Sequence, residues 1–551
     1  MKDNNNSTIQ GIFQDLIKNI QIDNEVKHVS DEFSKISSCS EKVSFVYALL
    51  KRYNLLPGLV VDEKRNEEAI KLREHGNQKF KEKKLKEALD LYTNSLAYAE
   101  KNSEHYPKAI ANRSAVLFEL ELYEECIKDI ETALDHNYPK ELQLKIIKRN
   151  EIAKSKKTTN KKIHYFQQIP VIPKDSQSTS IQSASNILEI EISDVQGRYV
   201  VAKENIEIGD VLAVEKPFCH VLASEFFTHC HECLKLCYNL LPCPNCTQVL
   251  YCSIECQNNA KIYHVYECKI LKTLRNLNLD KLKLLPLKIA ISVKNSYSSI
   301  SRINEESESF YRSDRYKEIH NLISNTQSRT VADLFERSTT AAIVFNLIHE
   351  HTKFFNSVLE ESIFKELYLR HLQIAPCNFH EISELHQNQD DYFEAQEIGA
   401  GAFSFLSLFN HSCNPNVVRH CYGNVVVLRA IRSIHKGEQL FDNYGYHFAL
   451  MPKDTRKTNL KKQYYFECNC YVCENNWPLL HNLPALKYDT GVTDADIVKL
   501  RKGDGTITTN IIGKLLPKFK QLESIQPNRL FFEMQEVLKQ CYALSGNIRR
   551  K

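Results

Sequence analysis

Residues 409–417 read FNHSCNPNV. The run opens apolar enough for a strand, then sets Asn410, His411, Cys413, Asn414, Pro415 and Asn416 within seven positions. Asparagine bonds its own backbone and proline blocks it, so such a segment ends regular structure. A cysteine wedged among these residues therefore asks for a task beyond packing. The other cysteines supply the context.

The chain has 551 residues, too many for one hydrophobic core, which predicts about two to four domains. Hydrophobic content of 42% and charged content of 25% are those of a soluble globular protein. A net charge of +4 gives no global field for nucleic acid, and no basic stripe with interleaved aromatics appears. No run of about 20 apolar residues occurs, and MKDNNNSTIQ lacks the apolar stretch of a secretory signal. An intracellular residence, cytoplasmic and/or nuclear, is expected, where thiols stay reduced. Eighteen cysteines are many for that compartment, and they clump: eight between Cys230 and Cys268, three between Cys468 and Cys473. Clumping under reducing conditions points to metal rather than disulfides.

The first cluster reads Cys230-x2-Cys233, Cys243-x2-Cys246, Cys252-x3-Cys256 and His264-x3-Cys268. These four ligand pairs suffice for two tetrahedral zinc ions, and a segment without a large core needs such staples to fold. Cys219, Cys237 and His231 have no place in the spacing. The second cluster, Cys468-x-Cys470-x2-Cys473, offers three thiolates, one short of a structural zinc. Cys413 completes that site if the chain brings it to Cys468. Three zinc ions are thus expected, the third pinning the asparagine-rich segment to a later one.

Working outward, residues 9–56 show helical spacing in Ile9, Ile12, Phe13, Leu16, Ile17 and Ile20. REHGNQKFKEKKLKEALDLYTNSL (73–96) and ANRSAVLFELELYEECIKDIETAL (111–134) then align at an offset of 38. Leu85, Ala88, Leu89, Tyr92 and Leu96 fall on Tyr123, Cys126, Ile127, Ile130 and Leu134. The pattern resembles the tetratricopeptide repeat (TPR), helical hairpins that stack into a solenoid. A degenerate helix over 141–153 is expected to cap the stack. Polar, turn-rich residues 154–186 read as a linker. Strand-like alternation begins with LEIEI, YVVA and VLAVEKP, is interrupted by the cysteine cluster and a helical stretch from about 269 to 375, and returns in NVVVLRAI and EQLFDN. The last 75 residues look helical.

FNHSCNPNV, GEQLFDNYG (437–445) and YFECNCYVC (465–473), with the order of cysteine pairs around YCSIEC, resemble the SET and MYND domain-containing protein-lysine methyltransferases. The repeats make the chain most like the TPR-bearing type-4 branch of that family. The resemblance implies an α+β multidomain fold: an N-terminal α-helical TPR solenoid, a β-rich SET fold split by a zinc-binding MYND finger, and a helical C-terminal segment. The implied divisions are an N-terminal helical segment (1–64), TPR repeats (65–153), linker (154–186), SET N-terminal part (187–229), MYND finger (230–268), helical SET insert (269–380), SET core (381–447), post-SET zinc segment (448–475) and C-terminal helical region (476–551).

In that family the MYND pairs interleave. Cys230, Cys233, Cys252 and Cys256 would hold one zinc, and Cys243, Cys246, His264 and Cys268 the other. The resemblance also implies S-adenosylmethionine as cofactor, with Asn410, His411, Asn378, Gly197, Arg198 and Phe466 contacting it. Tyr444, seven residues after Gly437, matches the catalytic tyrosine beside the cofactor, and Tyr464 an aromatic position of the substrate-lysine channel. The sulfonium methyl is already activated, so the protein must align a neutral amine and exclude water. Proton loss to water is expected, with no side-chain base. The family's second cofactor-loop glycine is here Tyr199, and glycine allows closer backbone approach.

Some TPR domains clamp the C-terminal carboxylate of heat-shock chaperones, and Arg73, Asn77, Asn112, Lys145 and Arg149 fall at the matching places. Two amides and three cations on a concave face suit a carboxylate pair. MYND fingers of the family bind proline-rich peptides. The reading is an S-adenosylmethionine-dependent protein-lysine N-methyltransferase, acting on a histone or non-histone substrate, with a TPR partner-binding domain. The alternative is a catalytically weak adaptor acting through TPR and MYND peptide binding.

Overall fold

A computed structural model describes residues 8–159, 168–303 and 310–549. The molecule is α+β: helices at both ends enclose a set of small sheets, into which the cysteine-rich segment is inserted. Three N-terminal helices, Ile9–Ile22, Val26–Lys35 and Cys39–Arg52, carry the apolar positions read from sequence. Ile9, Ile12, Leu16 and Ile20 are buried on one face of the first. They do not stack on the repeats. Their core is shared with the long helices Val331–His351 and Val358–Asn378 and with the cysteine-rich insertion.

The repeats form the hairpins Asn66–Lys81/Leu85–Tyr98 and His105–Glu119/Tyr123–Asp135. Ala88, Leu89, Tyr92 and Leu96 pack in one core with Cys126 and Ile130. Gly76 permits the crossing within the first hairpin, because a Cβ there would lie 2.7 Å from the Tyr92 ring. The expected capping helix is longer than its degenerate sequence implies, running Lys140–Thr159. Part of the expected linker lies outside the described residues. The rest is not free: Ile181 and Ala184 are buried, and backbone bridges join Ala184 to Ala213 and Ile181 to Tyr311. Short apolar side chains among serines hid this burial from a composition reading.

The sheets are short. Leu188–Ser193 and Gly197–Ala202 form a hairpin, and Val211–Glu215 pairs with Val425–Ala430, itself paired with Val417–Tyr422. Cys219–Leu222, Phe393–Ala402 and His380–Gln387 form an antiparallel sheet, joined in parallel by the C-terminal Ile548–Arg549. Gly399 in this sheet has no room for a side chain, since a Cβ would fall 2.2 Å from the Val221 carbonyl oxygen. The terminal helices Thr508–Leu522 and Arg529–Ala543 pack on the sheet through their own core.

The opening question is answered by a crossing. Asn410–His411 pairs in parallel with Phe441–Asp442. Two residues on, the Cys413 carbonyl accepts the Phe448 amide at 3.0 Å. Asn416 donates to Gln439 O (3.0 Å) and accepts from Phe441 N (2.7 Å), so its asparagine amide does the work of a missing ladder.

Candidate active site and metal centres

The cysteines fall into the expected groups. Cys230, Cys233, Cys252 and Cys256 form one cluster, Cys243, Cys246, His264 and Cys268 another, and Cys413, Cys468, Cys470 and Cys473 a third. Within each, all ligand atoms lie within 4.8 Å of one another. Sulfurs on a tetrahedral zinc are separated by about 3.8 Å, given Zn–S bonds of ~2.3 Å. Several sulfur pairs are close to this, such as Cys252–Cys256 at 3.5 Å and Cys468–Cys473 at 4.0 Å. None of these thiols is in a disulfide. Donor set and spacing both fit zinc.

His231, unplaced by the spacing, sits just outside the second cluster. One oxygen of buried Glu267 meets His264 Nδ1 at 3.0 Å and His231 Nε2 at 3.2 Å. His264 Nε2 thereby faces Cys243 and Cys246, at 3.3 and 3.5 Å. A carboxylate behind a ligating histidine fixes its ring and tautomer. At the third cluster the fully buried Arg456 donates from Nε to Cys413 Sγ (3.1 Å) and reaches Cys473 Sγ with a second nitrogen (3.5 Å). A guanidinium there offsets part of the charge of four thiolates. Glu267 sits at a free position inside the His264-x3-Cys268 pair and Arg456 outside any motif, so ligand spacing marks neither.

Immediately beside the third cluster lies an aromatic nest. The Tyr444 ring is 4.7 Å from Tyr464, 5.2 Å from His411 and 6.5 Å from Phe466. The Tyr444 hydroxyl donates to the Phe409 carbonyl at 2.8 Å. Burial raises its pKa well above the usual phenol range and pushes Tyr464 up to about 12, so both stay neutral near pH 7. Burial lowers His411 to about 4. The neutral imidazole accepts the Tyr444 amide at Nδ1 (3.1 Å), which leaves Nε2–H facing Cys413 Sγ at 3.4 Å. His411 thus couples the metal cluster to the tyrosine.

The side chain of half-buried Asn410 makes no hydrogen bond among the described residues, unlike neighbouring Asn416 and Asn443. Buried Asn378 donates both amide hydrogens to the carbonyls of Ile323 and Ile374, 2.8 Å each, which leaves its oxygen to accept from a ligand. Gly197 takes φ +67° at the turn of its hairpin. Arg198 donates to the Asn321 carbonyl at 2.9 Å and so ties that hairpin to the helical insert. The Tyr199 hydroxyl donates to Glu191 on the paired strand at 2.8 Å, which draws the ring along the hairpin.

On the repeats, Asn77 accepts from both Tyr92 and Asn112 at 2.8 Å, bringing the two asparagines together. Arg149 donates to Ala111 O (3.0 Å) and Ser114 Oγ (2.7 Å). The buried Arg73 Nε has no hydrogen-bond partner among the described residues, and Lys145 is exposed. A cavity of about 700 Å³ lies elsewhere, lined by Phe393, Leu500, Phe532 and Val537 among others, and holds none of the residues singled out from sequence. No helix among the described residues is long and apolar enough to cross a membrane.

A SET domain model matches residues 197–445, from Gly197 through the Tyr444 turn. The cysteine-rich insertion lies inside that match, and the chain is similar to proteins named as protein-lysine N-methyltransferases of the SET and MYND type. Several of the proteins it is similar to are named SMYD4. Protein-lysine N-methyltransferase SMYD4 of Danio rerio is 24% identical over 526 residues, covering 80% of this chain and 68% of that protein. The Homo sapiens SMYD4 is 24% identical over 532 residues, covering 73% of this chain and 66% of that protein. N-lysine methyltransferase SMYD2 of Bos taurus is 27% identical over 288 residues, covering 52% of this chain and 60% of that protein. The chain spans about two thirds of the length of these SMYD4 relatives.

Proposed function

We propose that this chain methylates the side-chain amine of a lysine in a protein substrate, using S-adenosylmethionine, and that three structural zinc ions hold its finger and post-SET segment. The observation that carries the reading is the nest of Tyr444, Tyr464, Phe466 and His411 at the crossing of Asn410–His411 with Phe441–Asp442. When bound, S-adenosylmethionine supplies an activated sulfonium methyl. Asn410, Asn378 and Phe466 would hold it, through a free amide, a free carbonyl oxygen and a ring face. The Tyr444 hydroxyl, fixed as donor to Phe409 O, presents its remaining lone pair toward the amine site and orients that amine. Tyr464, whose hydroxyl has no partner among the described residues, lines the entry for the lysine stem and helps exclude water. Neutral tyrosines also suit an incoming ammonium through their ring faces.

The repeats would bind a partner's C-terminal carboxylates, such as a heat-shock chaperone tail, through Arg73, Asn77, Asn112, Lys145 and Arg149. The meeting of Asn77 with Asn112 at 2.8 Å supports this. The MYND finger would take a proline-rich peptide. Transfer of tritiated methyl from S-adenosylmethionine into a mixed protein fraction tests the activity. Tyr444→Phe should cut incorporation by about 10²-fold while retaining the fold, in line with loss of one preorganised polar group. Equal incorporation by both proteins would refute the catalytic role of Tyr444.

A further inference from the structure

Tyr464 and Phe466 are two residues apart, and on a helix such neighbours point to nearly opposite faces. Here their ring centroids lie 6.5 Å apart, in the same nest as Tyr444. The reason is Tyr465, which ends the helix Lys453–Tyr464 in the left-handed region at φ +65°. Glycine is the usual occupant of that position, because a Cβ is crowded there. A tyrosine persists in it only if its surroundings hold it.

What holds it comes from the helical insert. One Arg329 nitrogen donates to the Tyr465 hydroxyl at 3.0 Å, and the guanidinium carbon is 5.1 Å from the ring centre, a cation–π distance. Arg329 is itself buried and fully engaged. It pairs with Asp333 at 3.0 Å and donates to the carbonyls of Ser324 (2.9 Å) and Gln373 (2.6 Å). Gln463, two residues before Tyr465, is tied to the same insert, its Nε2 donating to Pro376 O at 3.2 Å and its carbonyl accepting from Cys377 Sγ at 3.3 Å.

We propose that Arg329 is a positioning residue for methyl transfer. It anchors Tyr465 in the left-handed turn and so directs Tyr464 and Phe466 together onto the Tyr444 nest. The proposal rests on the methyltransferase reading given above. Arg329 acts through Tyr465, which it meets by hydrogen bond and ring contact.

The test uses the full zinc-loaded chain, with S-adenosylmethionine affinity by calorimetry and amide hydrogen exchange over 463–468. Arg329→Ala should weaken binding about tenfold and speed exchange of that segment. Arg329→Lys should recover part of both, since an ammonium can still meet Asp333 and the ring. Tyr465→Gly separates anchoring from strain. It removes the crowded Cβ, so it should melt no lower than the native protein yet bind as weakly as Arg329→Ala. Native-like exchange and affinity in both Arg329→Ala and Tyr465→Gly would overturn the proposal. A native protein that binds no S-adenosylmethionine would instead refute the methyltransferase reading, and hydrogen exchange would still decide whether Arg329 positions the turn.

Discussion

Glu215 is fully buried, meets no cation among the described residues, and its two oxygens accept the Phe405 and Leu406 amides at 2.9 Å each. Those bonds fix the turn leading to Phe409, whose carbonyl receives the Tyr444 hydroxyl. Burial outweighs the amides and raises the carboxyl from 4.5 to about 8. An acid raised in the fold favours stability below its unfolded pKa and loses that contribution as pH rises through the folded one. The contribution of Glu215 should therefore be complete below about pH 4.5 and fall progressively up to and through about pH 8. Glu215→Gln should unfold at lower denaturant at pH 6, since its amide sets N–H against N–H, but decline less steeply between pH 6 and 9. Denaturant midpoints across that range check this, and parallel curves would contradict it. Single residues were legible in the sequence where spacing marked them. Tyr444, Cys413 and the eleven other clustered ligands sit in local motifs. Glu215, Arg329 and Arg456 act on partners remote in sequence, such as Tyr465 lying 136 positions from Arg329, while Glu267 and His231 occupy the free positions of ligand pairs, which spacing does not assign.

The helix Lys453–Tyr464 connects the third cysteine cluster to the aromatic nest. Arg456 in its first turn bonds two of the sulfurs, Leu460 is buried in the same small core, and Tyr464 at its end faces Tyr444. The chain's single tryptophan, Trp477, packs on Phe448 and Tyr471 at 5.2 and 5.9 Å in this segment. Stripping zinc with a chelator should red-shift Trp477 emission and abolish S-adenosylmethionine binding together, because the metal supplies folding energy to its segment. Emission unchanged after verified loss of zinc would contradict that role. Element types were legible from periodicity, as in the repeats and the strands after residue 187. Short pairs such as Asn410–His411 with Phe441–Asp442 were not, because two residues carry no period. The burial of Ile181 and Ala184 in the turn-rich stretch was not legible, because composition does not register burial of isolated apolar residues.

Across the whole molecule, the inserted finger joins the repeats to the sheets. Arg113 in the second repeat is fully buried, bonds Asp129 through two nitrogens at 2.7 and 2.8 Å, and donates to Leu240 O of the insertion at 2.9 Å. Asp62, ahead of the repeats, accepts from Thr247 in the same insertion. Breaking a buried pair from one side leaves the other charge uncompensated, so Arg113→Ala should cost roughly 3–5 kcal/mol. Loss of only a few tenths in chemical denaturation would contradict this account of the joint. Nothing in the sequence marked it, since Asn-Arg recurs in such repeats on packing grounds alone.

The account stands on a working cofactor site at the strand crossing. The most direct test is calorimetric titration of the zinc-loaded protein with S-adenosylmethionine, with Asn410→Ala alongside. Saturable micromolar binding, weakened at least tenfold in the variant, is the predicted result. A folded protein with three zinc ions that binds no S-adenosylmethionine would contradict the account and return attention to the repeats.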